Sequence, residues 1–246
     1  MKRDFICILR LIVDSLPRFI RDSYLLFLVA RFIFRLPDSL YEFRKKYTNG
    51  EYVNLSIFYE QGSPYALKRI SSETDINSIH LKRIVNLIEK EKPKSIIDVG
   101  CGSGYLIKII NKKFPDVKLS VIDFNVPKNI KVRTNIEFVE GDIIENLSNI
   151  KQDKYEFVIC SHVLEHIPKP EKLLLELRRI SKSSLIVVCP LEKKLKWGMN
   201  YHINFFQNKT IFLKFITNIS YLQKTKIITS EIIQSLGDIF YHEKFL

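Results

Sequence analysis

The sequence predicts an α/β fold: a doubly wound, mostly parallel seven-stranded sheet with a terminal antiparallel hairpin, plus an N-terminal helical appendage. Three observations predict it. Short apolar, β-branched runs recur between residues 95 and 189, helical stretches alternate with them, and two strand-like runs close the chain around a Ser-Leu-Gly turn. Strand, helix and strand in rotation give a parallel sheet covered by helices on both faces.

Residues 1–46 form the appendage. Their apolar blocks, residues 5–9, 11–13 and 24–30, are each cut short by Arg, Asp or Ser. A membrane span needs about 20 largely uncharged residues, and Arg10, Asp14, Arg21, Asp22, Arg31 and Arg35 interrupt this stretch. A signal peptide fits no better, because no small-residue cleavage site follows. Two helices separated near Pro17, the second closed by Pro37, suit a residue that tolerates a helix start but not its interior. Residues 24–36 are apolar nearly all round, with Arg31 and Arg35 to one side. Such a helix packs on the protein's own body, on a second subunit, or into an anionic membrane interface. Residues 38–48 are more polar and basic and read as a juxtamembrane or linker segment. Residues 47–75, rich in tyrosine and with a QGSP turn at 61–64, are placed to serve as a lid or linker.

The body covers 76–246. It opens with a helix that puts Ile79, Ile84, Val85 and Leu87/Ile88 on one face and ends before Pro93. Strands follow at 95–99, 118–123, 136–139, 156–160 and 184–189, apolar enough to be covered on both faces. Helices fall at 105–114, 170–181 and 208–219. Residues 124–135 contain Pro127 and little periodicity, which predicts a loop or a single turn. KIITSEIIQ and DIFYHEKF then form the terminal hairpin.

A chain of 246 residues, 46% hydrophobic, is one large domain or a domain with an appendage. Disorder, a collagen-like chain and a small disulfide scaffold are excluded. Cys7, Cys101, Cys160 and Cys189 make no C-x-x-C pair, so neither a zinc ribbon nor a disulfide framework is indicated, and a reducing compartment is the simpler reading. Of the formal net charge of +12, residues 1–46 carry +5, residues 47–190 carry +3 and residues 191–246 carry +4. Basic ends are compatible with nucleic acid, an anionic membrane surface or an acidic substrate. Lys-rich solvated faces explain them equally well.

The strongest chemical signal is Asp98-Val99-Gly100-Cys101-Gly102-Ser103-Gly104, directly after a predicted strand and before a helix. The glycines allow a tight turn and a close approach of backbone to ligand. The third glycine comes one residue earlier than in a dinucleotide loop, and an acid two residues before the first glycine would repel a pyrophosphate. It suits a ligand with a cationic amine. DVGCGSGYL resembles motif I of the Rossmann-like S-adenosylmethionine-dependent methyltransferases, most closely the small-molecule group that includes quinone-biosynthesis enzymes. The resemblance covers roughly residues 76–246. It implies S-adenosylmethionine as cofactor, with Asp98, Gly100, Gly102 and Gly104 along its methionine half and Asp123 on the ribose hydroxyls. It further implies Phe124 against the adenine, Asp142 near the adenine amino group, Ile143 beside it, and Ser161 and His162 as additional cofactor contacts. A lone Asp after a strand is ordinarily a turn or helix cap; three such acids after successive strands point to a ligand.

His162-Val163-Leu164-Glu165-His166 also fits the zinc-protease pattern H-x-x-E-H. That pattern needs both histidines on one stable helix and a distal third ligand. A strand ending at Cys160 and prolines at 168 and 170 leave little helix, so no metal is expected. The segment also resembles the family's Leu-Glu-His triplet, which makes His166 the first candidate for a general base near the transferred methyl. A buried imidazole bonded to backbone is the alternative. His202 lies where related methyltransferases carry a histidine beside the acceptor pocket. Trp197 and Tyr201 either line that pocket or pack beneath a loop.

The implied function is methyl transfer to a small or lipid-linked acceptor, such as a glycan sugar or a quinone-like lipid. The expected location is cytoplasmic, with peripheral contact at the inner face of a membrane through the N-terminal helices. A nucleic-acid methyltransferase is the runner-up on charge, although no Asn/Asp-Pro-Pro-aromatic tetrapeptide follows the fourth strand. A cofactor-binding scaffold without chemistry is the third reading. Oligomeric state is left open.

Overall fold

In the computed structural model, which describes residues 8, 11–51, 76, 78–126, 128–131, 135–220, 227–235 and 237–245, the apolar runs pair into one sheet. Its strands are β1 (Ser95–Val99), β2 (Lys118–Asp123), β3 (Ile136–Glu140), β4 (Tyr155–Ser161), β5 (Ser181–Pro190), β6 (Ile227–Ser235) and β7 (Asp238–Phe245), in the order β3-β2-β1-β4-β5-β7-β6. The first five are parallel; β7 runs antiparallel between β5 and β6. The seven strands and the terminal hairpin are as the sequence predicts. Leu236 of the turn lies outside the described residues.

Strand side chains alternate between two faces. Ile97, Val99, Val158, Leu185 and Val187 meet one helix layer, built from α7 (Ile143–Ser148), α8 (Pro170–Ile180) and α9 (Lys209–Ser220). Ile96, Leu119, Val121, Ile159 and Ile186 meet the other, built from α4 (Ser78–Glu91) and α5 (Tyr105–Lys113). Among the described residues between β2 and β3 the chain makes the four-residue α6 (Lys128–Lys131), where a loop or a single turn is expected. Residues 132–134 and Pro127 lie outside the described residues. Helix α7 escapes sequence reading because six residues are too few to display a period of 3.6.

The appendage departs from expectation at two points. The expected second helix is split: a turn α1 (Arg18–Arg21) stops at Asp22, and Ser23 starts α2 (Tyr24–Phe34) by accepting from the Leu25 N–H at 3.2 Å. Residues 38–48 are no linker but a helix, α3 (Asp38–Thr48). Pro37 precedes it, Asp38 sits in its first turn and Lys45 and Lys46 in its last, which suits the helix dipole. Leu40, Phe43 and Arg44 form its buried face. Of the proposed lid, Tyr47 belongs to α3 and residues 52–75 lie outside the described residues.

One buried ion pair ties α8 to the hairpin. Arg178 donates from Nε to Glu243 Oε2 at 2.9 Å and from Nη2 to Glu243 Oε1, while Tyr241 also donates to Oε1. Burial acts to lower the Arg178 pKa, but the hydrogen bonds and charge of Glu243 outweigh it and hold the guanidinium above its ordinary value.

Candidate active site

Parallel sheets bind ligands beyond the carboxyl ends of their strands, where the strand order reverses. Here the reversal lies between β1 and β4, and the candidate residues gather there. At the end of β1 the chain turns through Gly100, Gly102 and Gly104, with φ of 76°, 52° and 71°. The Gly100 N–H donates to the Ile122 carbonyl at 2.7 Å, which ties the turn to β2. A Cβ on Gly100 would stand 2.2 Å from Val163 Cγ2, and one on Gly104 would stand 2.6 Å from Ile130. Close packing and positive φ together make any other residue strained at both positions.

Two carboxylates frame this loop. Asp98 is 2% exposed, at the end of β1. Asp123 ends β2 and accepts from the Gly102 N–H at 2.8 Å and the Asn125 N–H at 3.2 Å, so it faces the glycine turn. Phe124 is half-buried beside it. Asp142 caps α7, one of its oxygens accepting from the Glu145 N–H at 2.8 Å, so the ordinary helix-cap role accounts for that oxygen. Ile143 is buried in the core behind it. Ser161, at the end of β4, has a buried Oγ with no hydrogen-bond partner among the described residues. A turn with glycine at three alternate positions, carboxylates at the ends of β1 and β2, and an unsatisfied buried hydroxyl fit the amine, ribose and sulfonium of S-adenosylmethionine.

Beside the glycine turn, a clamp joins two distant segments. After β4, His162 adopts φ 59° and a single 3-10 turn spans Leu164–His166. The Glu165 carbonyl accepts from the Ile203 and Asn204 N–H groups at 2.8 and 3.1 Å. The Asn204 side chain donates to the Leu164 and Ile167 carbonyls at 2.8 and 2.7 Å. These four bonds bring His202 to His166, their rings meeting edge to face with centroids 4.7 Å apart. No helix carries His162 and His166 together, so the geometry of a zinc protease is not met. Burial pushes the Cys160 and Cys189 thiols well up, with Glu165 adding to the effect, so neither is a thiolate nucleophile near neutral pH.

The appendage reaches this site. Phe27 and Phe43 pack on Trp197 and Tyr201, at ring distances of 5.4 and 5.2 Å respectively, so both of those aromatics are engaged by the N-terminal helices. Arg44, fully buried, donates to the Asn200 carbonyl at 2.5 Å. Asn200 in turn donates to Glu192 at 3.3 Å, and Glu192 accepts from His202 Nδ1. Burial lowers the Arg44 pKa to about 10, partly countered by Glu192. Sequence reading names His166 and His202 but misses Arg44, Glu165, Glu192, Asn204 and Asp238, the last 3.7 Å from His162 Nε2. Only Glu165 carries a local signal, as part of H-x-x-E-H.

A profile of the methyltransferase domain family matches residues 77–224. A malonyl-[acyl-carrier protein] O-methyltransferase of Halalkalibacterium halodurans is 28% identical over 109 residues, 39% of this chain and 40% of that protein. A ribosomal RNA small subunit methyltransferase A of Mycoplasma mycoides is 28% identical over 58% of this chain and 55% of its own length. A ubiquinone biosynthesis O-methyltransferase of Coxiella burnetii is 32% identical over 40% of this chain and 43% of that protein. The matches thus span 40%, 55% and 43% of the lengths of these three relatives. Among solved structures, the plantazolicin methyltransferase BpumL in complex with a monoazolic desmethylPZN analog and SAH superposes with a TM-score of 0.57 at 16% identity, covering 85% of this chain and 98% of that one. Its likeness is one of fold. The family match takes in well over half of the chain, and the glycine turn, Asp123 and the His-Glu turn all lie inside it: the chain belongs to the methyltransferase domain family.

Proposed function

We propose that the chain transfers a methyl group from S-adenosylmethionine to a small or lipid-linked acceptor held near a membrane surface. The glycine turn framed by Asp98 and Asp123 carries the cofactor reading. Asp98, Gly100, Gly102, Gly104, Asp123, Phe124, Asp142, Ile143, Ser161 and His162 are the residues that would hold it. When bound, the cofactor supplies an electrophilic methyl on a sulfonium, whose departure leaves a neutral thioether. The chain's own work is alignment, exclusion of water and management of the acceptor's proton. His166 and His202 are the side chains that would face the acceptor's hydroxyl.

The acceptor class rests on α2. Leu25, Leu28, Val29, Phe32 and Ile33 recur at helical spacing on the side opposite the buried Phe27 and Ala30, and Phe32 is 87% exposed. Phe19 on α1 is 79% exposed, Arg18 is exposed on the same turn, and Arg35 is exposed at the end of α2. An open groove of about 660 Å³ along the same helix is lined by Leu28, Arg31, Phe32, Ile33, Arg35 and Leu36. Apolar side chains rimmed by arginines suit the interface of an anionic bilayer. No described helix is long and apolar enough to cross a membrane.

The full chain is expected to float with vesicles containing anionic lipid, and Phe32→Glu to float several-fold less while keeping its melting temperature. Incubated with labelled S-adenosylmethionine and a cell extract, the protein is expected to place label in the lipid-soluble fraction. Equal flotation of the variant, or label confined to RNA, would remove the lipid-linked acceptor.

A further inference from the structure

The side chains that converge at the acceptor side have a property that a lone general base does not need. Glu165, His166 and His202 each offer one ligating atom, and the three atoms lie within 4.8 Å of one another. We propose that these three residues form a binding site for a divalent first-row transition-metal ion, open on the side where the acceptor is held.

Three observations support it. The donor set of two imidazoles and one carboxylate is one that such ions take with coordination positions left open for a substrate oxygen. Ligands held at about 2.0–2.2 Å from one ion lie roughly 3.0–3.5 Å apart, so modest side-chain rotation closes the set.

The second observation is the outer layer, since metal-bound histidines almost always donate their other ring N–H to a carbonyl or carboxylate. His166 has its Nδ1 3.2 Å from the Tyr201 carbonyl, which can only accept, so that nitrogen carries the proton and Nε2 offers the lone pair. His202 has its Nδ1 against the Glu192 carboxylate, with the Asn200 amide 3.0 Å from the same nitrogen, so neither of these two contacts occupies Nε2. The Glu165 carboxylate is oriented by His162, whose Nδ1 lies 3.2 Å from Oε1. Each candidate ligand thus has a partner that limits its orientation while leaving room for a small rotation.

The third is placement. Glu165 is fully buried, the His202 side chain is 12% exposed and His166 is partly open, so the cluster has a dry back and an accessible front. The backbone clamp between residues 164–167 and 203–204 holds the ligands from two distant segments in register.

What the ion does rests on the methyl-transfer reading; whether it binds does not. A hydroxyl of the acceptor coordinated there releases its proton to solvent at a lower pH than a free hydroxyl does. The oxygen lone pair then forms the O–C bond as the C–S bond breaks, and its electron pair stays with sulfur. The ion keeps its oxidation state. His166 and His202 act as ligands in this step, and no imidazole need take the proton.

The test is titration of the full chain with Co²⁺, followed by its visible absorption, and with Mn²⁺, followed by calorimetry, alongside S-adenosylmethionine binding. The expected result is one ion per chain, with affinity falling at least about 100-fold in Glu165→Gln and in His202→Ala and about 10- to 100-fold in the outer-layer variant Glu192→Gln. Each variant is checked by its melting curve. Should the ligand variants fail to fold, Glu192→Gln decides. A wild-type chain that binds neither ion while binding S-adenosylmethionine overturns the metal site alone, as does unchanged ion affinity in the folded variants. A chain that binds ions as expected but not S-adenosylmethionine keeps the site and overturns the methyl-transfer reading.

Discussion

Gly100→Ala is expected to lower S-adenosylmethionine affinity by about 100-fold or more and to cut the stability of the chain. The φ of 76° at this position costs a non-glycine residue about 1–2 kcal/mol. The added Cβ would also stand 2.2 Å from Val163 Cγ2 and 3.4 Å from Cβ and Cγ1, so rotating the valine brings another methyl into the same space. Val163 is buried and stiff at χ1, and it begins the turn that carries Glu165 and His166. Relief therefore moves either the glycine turn or the His-Glu turn, adding roughly 1–3 kcal/mol. Together these come to about 2–5 kcal/mol of strain; the part relieved by reshaping the turn is lost from binding, and about 2.7 kcal/mol of such loss is the expected factor of about 100. Calorimetric titration of the variant beside the wild type is the measurement. Wild-type affinity in the alanine variant would mean that this turn does not cradle the cofactor.

Glu243→Ala is expected to destabilise the fold by about 3–5 kcal/mol, because it leaves the Arg178 guanidinium buried without its counter-charge. Arg178 and Glu243 side chains are 2% and 0% exposed, so water does not replace the lost partner. The double variant Arg178→Met/Glu243→Leu removes both charges and is expected to recover most of the loss, since apolar pairs of similar volume often match a buried ion pair. Urea unfolding of the two variants separates these effects. A loss under about 1 kcal/mol in Glu243→Ala would show that the pair is solvated in solution.

The sheet and the glycine turn were legible in the sequence because their determinants are local. Runs such as SIIDV and EFVIC are apolar on both faces and short, and Gly100, Gly102 and Gly104 sit at the one junction where strand passes to helix. Asp123 was legible by its position at the end of a strand. What was not legible depends on contacts over long separations. DSLYEFRKKYT reads as a linker because its charges outnumber its apolar residues; only Trp197 and Tyr201, more than 150 positions away, reveal why Leu40, Phe43 and Arg44 are inside. Glu192 and Asp238 gave no local signal. Their roles follow from the register that sets β7 against β5, with Pro190 opposite Asp238, and from the clamp that returns residues 200–204 to the end of β4. The zinc-protease pattern shows the converse: five residues matched it, and the backbone that the pattern needs did not form.

The charge distribution gains meaning from the same contacts. The basic, apolar N-terminal helices pack on the segment that carries His202, and Arg44 is joined through Asn200 and Glu192 to that imidazole. A surface proposed for lipid and a pocket proposed for the acceptor are thus parts of one structure.

The most direct measurement is calorimetric titration of S-adenosylmethionine into the full chain and into Asp123→Ala. The wild type is expected to bind one equivalent with a Kd on the order of micromolar, and the variant, stripped of the carboxylate that faces the glycine turn, to bind at least about 100-fold more weakly. Absence of binding to the wild type, or undiminished binding to Asp123→Ala, would contradict the assignment of this site.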